Sequence, residues 1–183
     1  MSKHNQDWLD ALPEAFKAYS RGQLVDEVEC IVPDLAGTSR GKAMPAKKFS
    51  PEYETRLPVS IFYQAITGTD VEMDIVNQWA ESDLVLRPDM STAKAVPWAK
   101  EPTLQVIHDI YVRDDEPLEI APRQVLKNVV SLFTERGWSP VVAPELEFYL
   151  IKPNTDPNEP IEAPLGRTGR RGTSKQSYSM SAV

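Results

Sequence analysis

The chain has 183 residues, with 20 Lys and Arg against 27 Asp and Glu and a formal charge of −7. That is one large domain or two small ones, without the surplus of bases that neutralising nucleic-acid phosphates requires. A hydrophobic fraction of 41% and a charged fraction of 26% are those of an ordinary globular protein, and no apolar run approaches the roughly 20 residues of a membrane helix. The polar opening lacks the basic-then-apolar order of a signal peptide. The single cysteine, Cys30, rules out an internal disulfide or a thiolate metal cluster and reads as a buried thiol. The expectation is a soluble cytoplasmic protein with neither a nucleic-acid nor a membrane partner.

Trp8, Leu9, Leu12, Ala15, Phe16 and Tyr19 recur at helical spacing, so residues 1–22 read as an N-terminal helical segment closed by Gly22. Val28, Cys30 and Val32 alternate with Glu27, Glu29 and Ile31, the pattern of a half-buried strand. The turn residues of 34–41 (DLAGTSRG) then return the chain as a partner strand over 42–45. Pro51, Pro58, Pro88, Pro97 and Pro102 cut the next stretch into short pieces, with Asp70, Glu72 and Asp74 forming an acidic patch. Short strands are expected at 84–87 and 93–96 around the turn Pro88-Asp89-Met90-Ser91, and a clear strand at 103–112 with Val106, His108, Ile110 and Val112 on one face.

Ala121-Pro122 opens the best helix of the chain, with proline at its favoured first position. Val125, Leu126, Val129, Val130, Leu132 and Phe133 form its expected buried stripe, and Gly137 ends it. Strands are expected at 140–142 and 145–151, followed by a proline- and glycine-rich loop. The last strand has a hydrophobic face (Leu146, Phe148, Leu150) with little chain left to cover it, so the sequence is expected to stop in mid-domain.

The sharpest chemical signal is Pro144-Glu145-Leu146-Glu147-Phe148-Tyr149-Leu150. On a strand, Glu145 and Glu147 share one face, and two carboxylates so held repel each other unless a hard cation such as Mg²⁺ or Mn²⁺ lies between them. The alternative is a polar strand face with nothing bound, and alternation alone leaves both open. Gly166-Arg167-Thr168-Gly169-Arg170-Arg171-Gly172 offers glycines and arginines to a phosphate, or is a mobile loop; it lacks the Gly-Lys-Ser/Thr ending of a P-loop. His108 reads as structural, since neither it nor His4 has a second ligand at metal spacing, and no nucleophile triad can be assembled. Trp8, Trp79, Trp98 and Trp138 are scattered and make no stacking platform.

Four segments in order resemble the glutamine synthetase family. Asp34-Leu35-Ala36-Gly37 with Arg40-Gly41-Lys42 and Pro45 is similar to its N-terminal hairpin. Ala80-Glu81-Ser82-Asp83-Leu84-Val85-Leu86-Arg87-Pro88-Asp89-Met90-Ser91-Thr92 resembles its "ESD…L.PD..T" stretch, and Val96-Pro97-Trp98 with 103–109 keeps the order. Ala143-Pro144-Glu145-Leu146-Glu147-Phe148-Tyr149-Leu150 is similar to its first metal-binding signature.

The resemblance implies an α+β protein: a β-grasp-like domain over 23–117, then the truncated start, 118–183, of an α/β catalytic domain. It implies an ATP-dependent carbon–nitrogen ligase that phosphorylates the γ-carboxylate of glutamate for attack by an amine, with Mg²⁺ or Mn²⁺ on the phosphates. It makes Glu145 and Glu147 the first two metal ligands, and it implies a homo-oligomeric ring whose neighbouring subunits complete each site. Ammonia-using members carry an Asp-Gly-Ser-Ser stretch whose aspartate helps bind ammonium, whereas 60–68 (SIFYQAITG) has no acid. That segment resembles instead the γ-glutamylpolyamine (glutamate–putrescine) branch, as do Gly166-Arg167-Thr168-Gly169-Arg170 and Gln176-Ser177-Tyr178-Ser179. Arg167, Arg170 and Tyr178 are accordingly candidates for a phosphate or substrate loop. Ile61 and Phe62, with Ile66, form an apolar wall suited to an alkylamine or to the core. The family's remaining metal and substrate residues lie beyond position 183, so the 183-residue chain alone is expected to be inactive. The alternatives are an ammonia-using glutamine synthetase and a non-catalytic short paralogue that binds a full-length ligase.

Overall fold

The computed structural model describes residues 25–52, 54–69, 83–112, 115–166 and 169–170. The expected N-terminal helix, the acidic patch, Arg167 and Tyr178 lie outside the described residues. The chain divides into two compact units, residues 1–140 and 141–183.

The first unit is built on a mixed sheet. Its strands are β1 (Glu27–Pro33), β2 (Ser39–Pro45), β3 (Thr55–Pro58), β4 (Asp83–Pro88), β5 (Lys94–Ala95) and β6 (Thr103–Tyr111), and one helix, α1 (Pro122–Thr134), follows them. The order across the sheet is β2-β1-β6-β4-β3, with β5 also paired to β6. β6, the longest strand, is central: it runs parallel to β1, with Cys30 opposite Val106, and antiparallel to β4, with Leu86 opposite Ile110. Its period-two pattern explains the placement, because every second side chain from Leu104 to Ile110 is apolar or His108 and all of these are buried.

Residues directly opposite across a ladder share a face, so Val28, Cys30, Val32, Leu57, Leu84, Leu86, Leu104, Val106 and Ile110 all point to the same side. They fall into two clusters: Phe49 joins Val28, Cys30, Leu104 and Val106, and Val59, Phe62, Leu118 and Ala121 join Val32, Leu57, Leu84, Leu86 and Ile110. Each large side chain so buried contributes about 1.5–3 kcal/mol. The other face is mixed: half-buried Ile31, Val85 and Ile107 alternate with polar groups, of which Glu29 accepts a hydrogen bond from Gln105 (2.8 Å) and the Arg87 guanidinium stacks over Tyr111 (4.3 Å).

β4 and β5 occupy successive stretches of the same edge of β6, separated by a 3-10 turn at Met90–Thr92. Asp89 caps that turn by accepting from the Ser91 N–H (3.1 Å) and hydroxyl (2.6 Å). The Thr92 hydroxyl accepts from the Ile107 N–H at 2.9 Å, satisfying the ladder group that the turn leaves unpaired. The β1–β2 loop is organised by buried Asp34, whose carboxylate accepts from Ala36 N (2.9 Å), Thr38 N (2.7 Å) and Arg40 Nε (2.8 Å).

Two sequence expectations are corrected. The apolar stripe of α1 is not buried: Leu126 is 61% exposed and Phe133 38%, and no residue of the helix is buried. The described residues of its own unit present no apolar surface over the stripe. Residues 138–150 form no strand, so the expected strands at 140–142 and 145–151 are absent. Leu146 is 89% exposed and Phe148 76%, because an isolated extended segment without a ladder partner has nothing to satisfy its backbone or cover its apolar face.

Candidate functional site

The second unit, described to 166 and at 169–170, carries the paired carboxylates. Glu145 and Glu147 are both exposed and lie in irregular chain. Their i, i+2 spacing puts them on one face only where the backbone is extended, and no strand pairing holds it so among the described residues. No group of three or more His, Cys, Asp or Glu positioned for a metal occurs among the described residues. The donor chemistry of the pair suits a hard cation, since both side chains offer only oxygen. Two carboxylates supply at most four of the six or more oxygens such a cation takes, so the residues fit part of a coordination shell.

Downstream, Lys152 N donates to Glu162 O (2.9 Å) and Lys152 Nζ pairs with Glu162 Oε2 (2.7 Å), closing a loop. Asn154 and Asp156 turn that loop by accepting from the N–H groups of Asp156 and Asn158. Gly166 N donates to Arg170 O and Gly169 N to Gly166 O, both at 2.9 Å, with Gly169 at φ 73°. Glycine permits that left-handed conformation. Arg170 is exposed. The turn thus leaves one candidate phosphate-binding side chain in solvent, and Arg167 and Tyr178 lie outside the described residues.

The candidate amine segment belongs to the first unit. A 3-10 turn, Val59–Tyr63, follows β3 directly. Phe62 is 1% exposed inside the core, while Ile61 and Tyr63 are partly buried against the same cluster. A second turn follows, in which Gly68 N donates to Ala65 O (2.8 Å) and Ala65 N to Thr69 O (2.9 Å), leaving Ile66 83% exposed at its tip. Phe62 therefore anchors the segment, and the apolar surface it offers to solvent comes from Ile66 and the outer part of Ile61. An open groove of about 450 Å³ runs along α1, lined by Arg123, Leu126, Lys127, Val130, Ser131 and Thr134. It contains no carboxylate and is not the metal site.

His108 is buried, and its Nδ1 lies 3.0 Å from the Val106 carbonyl oxygen. Burial lowers its pKa below the ordinary histidine value, which fits the structural role expected of it. Sequence reasoning missed the pair Asp89 and Asp109, which grips Arg123 at 2.5 and 3.0 Å. Its signal was the lone arginine in the first turn of a helix preceded by one acid on β6 and one capping the turn after β4.

The family model described as "Glutamine synthetase, catalytic domain" matches residues 119–183. Over 158 residues the chain is 31% identical to the γ-glutamylputrescine synthetase PuuA of Escherichia coli (strain K12), covering 84% of this chain and 33% of that protein. A glutamine synthetase of Methanosarcina mazei is 30% identical, with 86% of this chain and 32% of that protein covered. A glutamate–isopropylamine ligase of a Pseudomonas species is 31% identical, over 69% of this chain and 28% of that protein. In fold, the chain is similar to a crystal structure of a glutamine synthase homologue, with a TM-score of 0.52 and 19% identity over 62% of this chain and 28% of the other. The chain spans about a third of the length of the curated relatives it matches. With the hairpin, the β4 stretch and the paired glutamates in their expected order, the chain belongs to the glutamine synthetase family.

Proposed function

We propose that the protein carrying this chain is an ATP-dependent glutamate–amine ligase of the cytoplasm, whose acceptor is putrescine or another alkylamine. A γ-carboxylate oxygen of glutamate takes the terminal phosphoryl group of ATP and ADP leaves. The amine nitrogen then attacks the acyl carbon, phosphate leaves, and the nitrogen loses its proton. The observation that carries the choice of amine is the segment 60–68, which holds no carboxylate. A compact ammonium ion has only its charge to be recognised by and so needs a neighbouring carboxylate, whereas an alkylammonium also has an alkyl part that gains from apolar surface such as Ile61 and Ile66. Relatives named for putrescine and isopropylamine support the same choice.

In this reading the sheet of the first unit is the β-grasp-like domain, 23–117, and residues from 118 onward begin the catalytic domain. Glu145 and Glu147 hold part of the coordination shell of Mg²⁺ or Mn²⁺, which supplies charge stabilisation of the transferring phosphoryl group when bound. The rest of that shell comes from acids outside this chain, and a ring of subunits completes each site. Arg170, with Arg167 and Tyr178, contacts phosphate or substrate. The Methanosarcina mazei relative, a glutamine synthetase, favours the second reading, in which ammonia is the acceptor.

The test is ADP release by the full-length protein with glutamate, Mg²⁺ and either ammonia, putrescine or monoamines. Turnover with an alkylamine well above that with ammonia is expected; glutamine formation from ammonia with every amine left untouched contradicts the amine assignment. Glu147→Ala in that protein is expected to weaken Mn²⁺ binding by more than about tenfold and to remove most ligase activity, with the circular dichroism spectrum unchanged. Unaltered metal affinity and rate would exclude Glu147 from the site.

A further inference from the structure

α1 is held to the sheet by charge and not by its apolar stripe. No residue of the helix is buried, and partial burial is confined to its first turn, residues 122–124. Arg123 in that turn lies between a carboxylate of β6 and one at the cap of the 3-10 turn after β4: its Nε is 3.0 Å from Asp109 Oδ1 and its Nη2 is 2.5 Å from Asp89 Oδ2. One turn further on, Lys127 Nζ takes the other Asp109 oxygen at 2.5 Å. The acidic half of this chain of charges is rigid, because Asp109 is on the central strand and Asp89 is fixed by both polar groups of Ser91. The basic half is on the helix.

Immediately before the helix is a short, firmly seated lead-in. Leu118 and Ala121 are buried, Leu118 N donates to Ile110 O (2.9 Å), and Ala121 N donates to Leu118 O (3.0 Å). The lead-in fixes where α1 starts and leaves its direction to the contacts beyond Pro122. The geometry points to a charge latch: the Asp89–Arg123–Asp109–Lys127 chain sets the direction in which α1 leaves the sheet, and opening it lets the helix swing on the 118–121 lead-in. Arg123 and Asp109 are both mostly shielded from solvent, so the central link resists screening better than an exposed pair, while the outer Lys127 link is more readily screened. The latch lies within the first unit and stands whichever nitrogen acceptor the protein uses.

Nitroxide labels at Lys42→Cys on β2 and Thr134→Cys at the far end of α1, in the whole chain, report this direction as a distance distribution; Cys30 is buried and stays unlabelled. A single narrow distribution is expected for the parent protein. Arg123→Met is expected to broaden it, Asp109→Asn to broaden it similarly, and Arg123→Lys, which reaches only one carboxylate, to give an intermediate width. Far-UV circular dichroism confirms in each case that sheet and helix persist, and Asp109→Asn provides the reading should Arg123→Met fail to fold. An unchanged distribution in Arg123→Met, or in Asp109→Asn where that is the folded variant, overturns the latch and assigns the direction of α1 to its lead-in.

Discussion

Asp34 shows how one side chain can hold a loop. Burial alone would raise its pKa, but the Arg40 guanidinium and the N–H groups of Thr38 and Ala36 outweigh burial and hold the carboxyl below its ordinary value. A group whose folded pKa is depressed contributes stability above its unfolded pKa and loses it as the pH falls through the folded value. The β1–β2 loop is therefore expected to loosen only at strongly acidic pH, and Asp34→Ala to cost about 2 kcal/mol at neutral pH by stranding its three donors, checked by urea unfolding. Gly41 opposes Ile31 across the hairpin, and a Cβ there would overlap the backbone carbonyl of Cys30. Gly41→Ala is expected to cost about 3 kcal/mol by forcing β2 off β1, seen as a lower urea midpoint. A midpoint equal to that of the parent would show that the hairpin can shift at no cost.

Two buried titratable groups make separate predictions. Burial pushes the Cys30 thiol up to about 11, against a smaller opposing effect of a hydrogen bond with Thr55. Cys30 is thus expected to resist thiol reagents at pH 8 in the folded protein and to react fully in denaturant. Burial depresses His108, outweighing the Val106 carbonyl and the nearby Asp109 charge. The unfolded chain consequently binds a proton near pH 6.5 that the folded chain refuses until lower pH. Stability is expected to fall as the pH drops from 7 towards 5, and this slope to flatten in His108→Asn; an equal slope in both proteins would assign the titration elsewhere.

At the scale of elements, β1 and β6 were legible because alternation and burial coincide: Val28, Cys30, Val32 and Val106, His108, Ile110 are all inward. Helix α1 was legible as an element from Pro122 and its 3.6-residue period, and Gly137 (φ 70°) follows it as expected. β3 was not, because its four residues, TRLP, end in proline and alternate over too short a span. Its reality rests on β4, where Leu57 opposes Leu84. Burial of the α1 stripe and the strand at 145–151 were misread for one reason: apolar periodicity states which face seeks cover, and the cover is a property of the neighbours. Glu145 and Glu147 were legible as a pair, but their joint orientation depends on strand pairing that the pattern alone does not supply. Leu84 and Leu104, both fully buried, are each expected to lose about 2–5 kcal/mol on replacement by alanine, whereas Leu126→Ala on the exposed stripe is expected to cost less than about 1 kcal/mol. A Leu126→Ala cost as large as that of Leu84→Ala would show the stripe covered in solution.

At the scale of the whole molecule, the first unit is a mixed sheet with a well-filled inner face, and the described residues of the second are rich in exposed apolar and acidic side chains. The family model for the catalytic domain begins at residue 119, one residue after Leu118 seats the lead-in of α1. Sheet and helix thus meet at the boundary proposed between an N-terminal domain and the start of the catalytic domain. Family membership was legible from ordered motifs, each modest alone. The proposed nitrogen acceptor rests on what 60–68 lacks, and the structure adds that Phe62 is core while Ile66 is the exposed tip. The most direct measurement is the rate of ADP release by the full-length protein with glutamate and Mg²⁺, comparing putrescine with ammonia. Release that depends on putrescine or another alkylamine and exceeds the ammonia rate is expected; release with ammonia alone, or with no nitrogen acceptor at all, would contradict the glutamate–amine ligase.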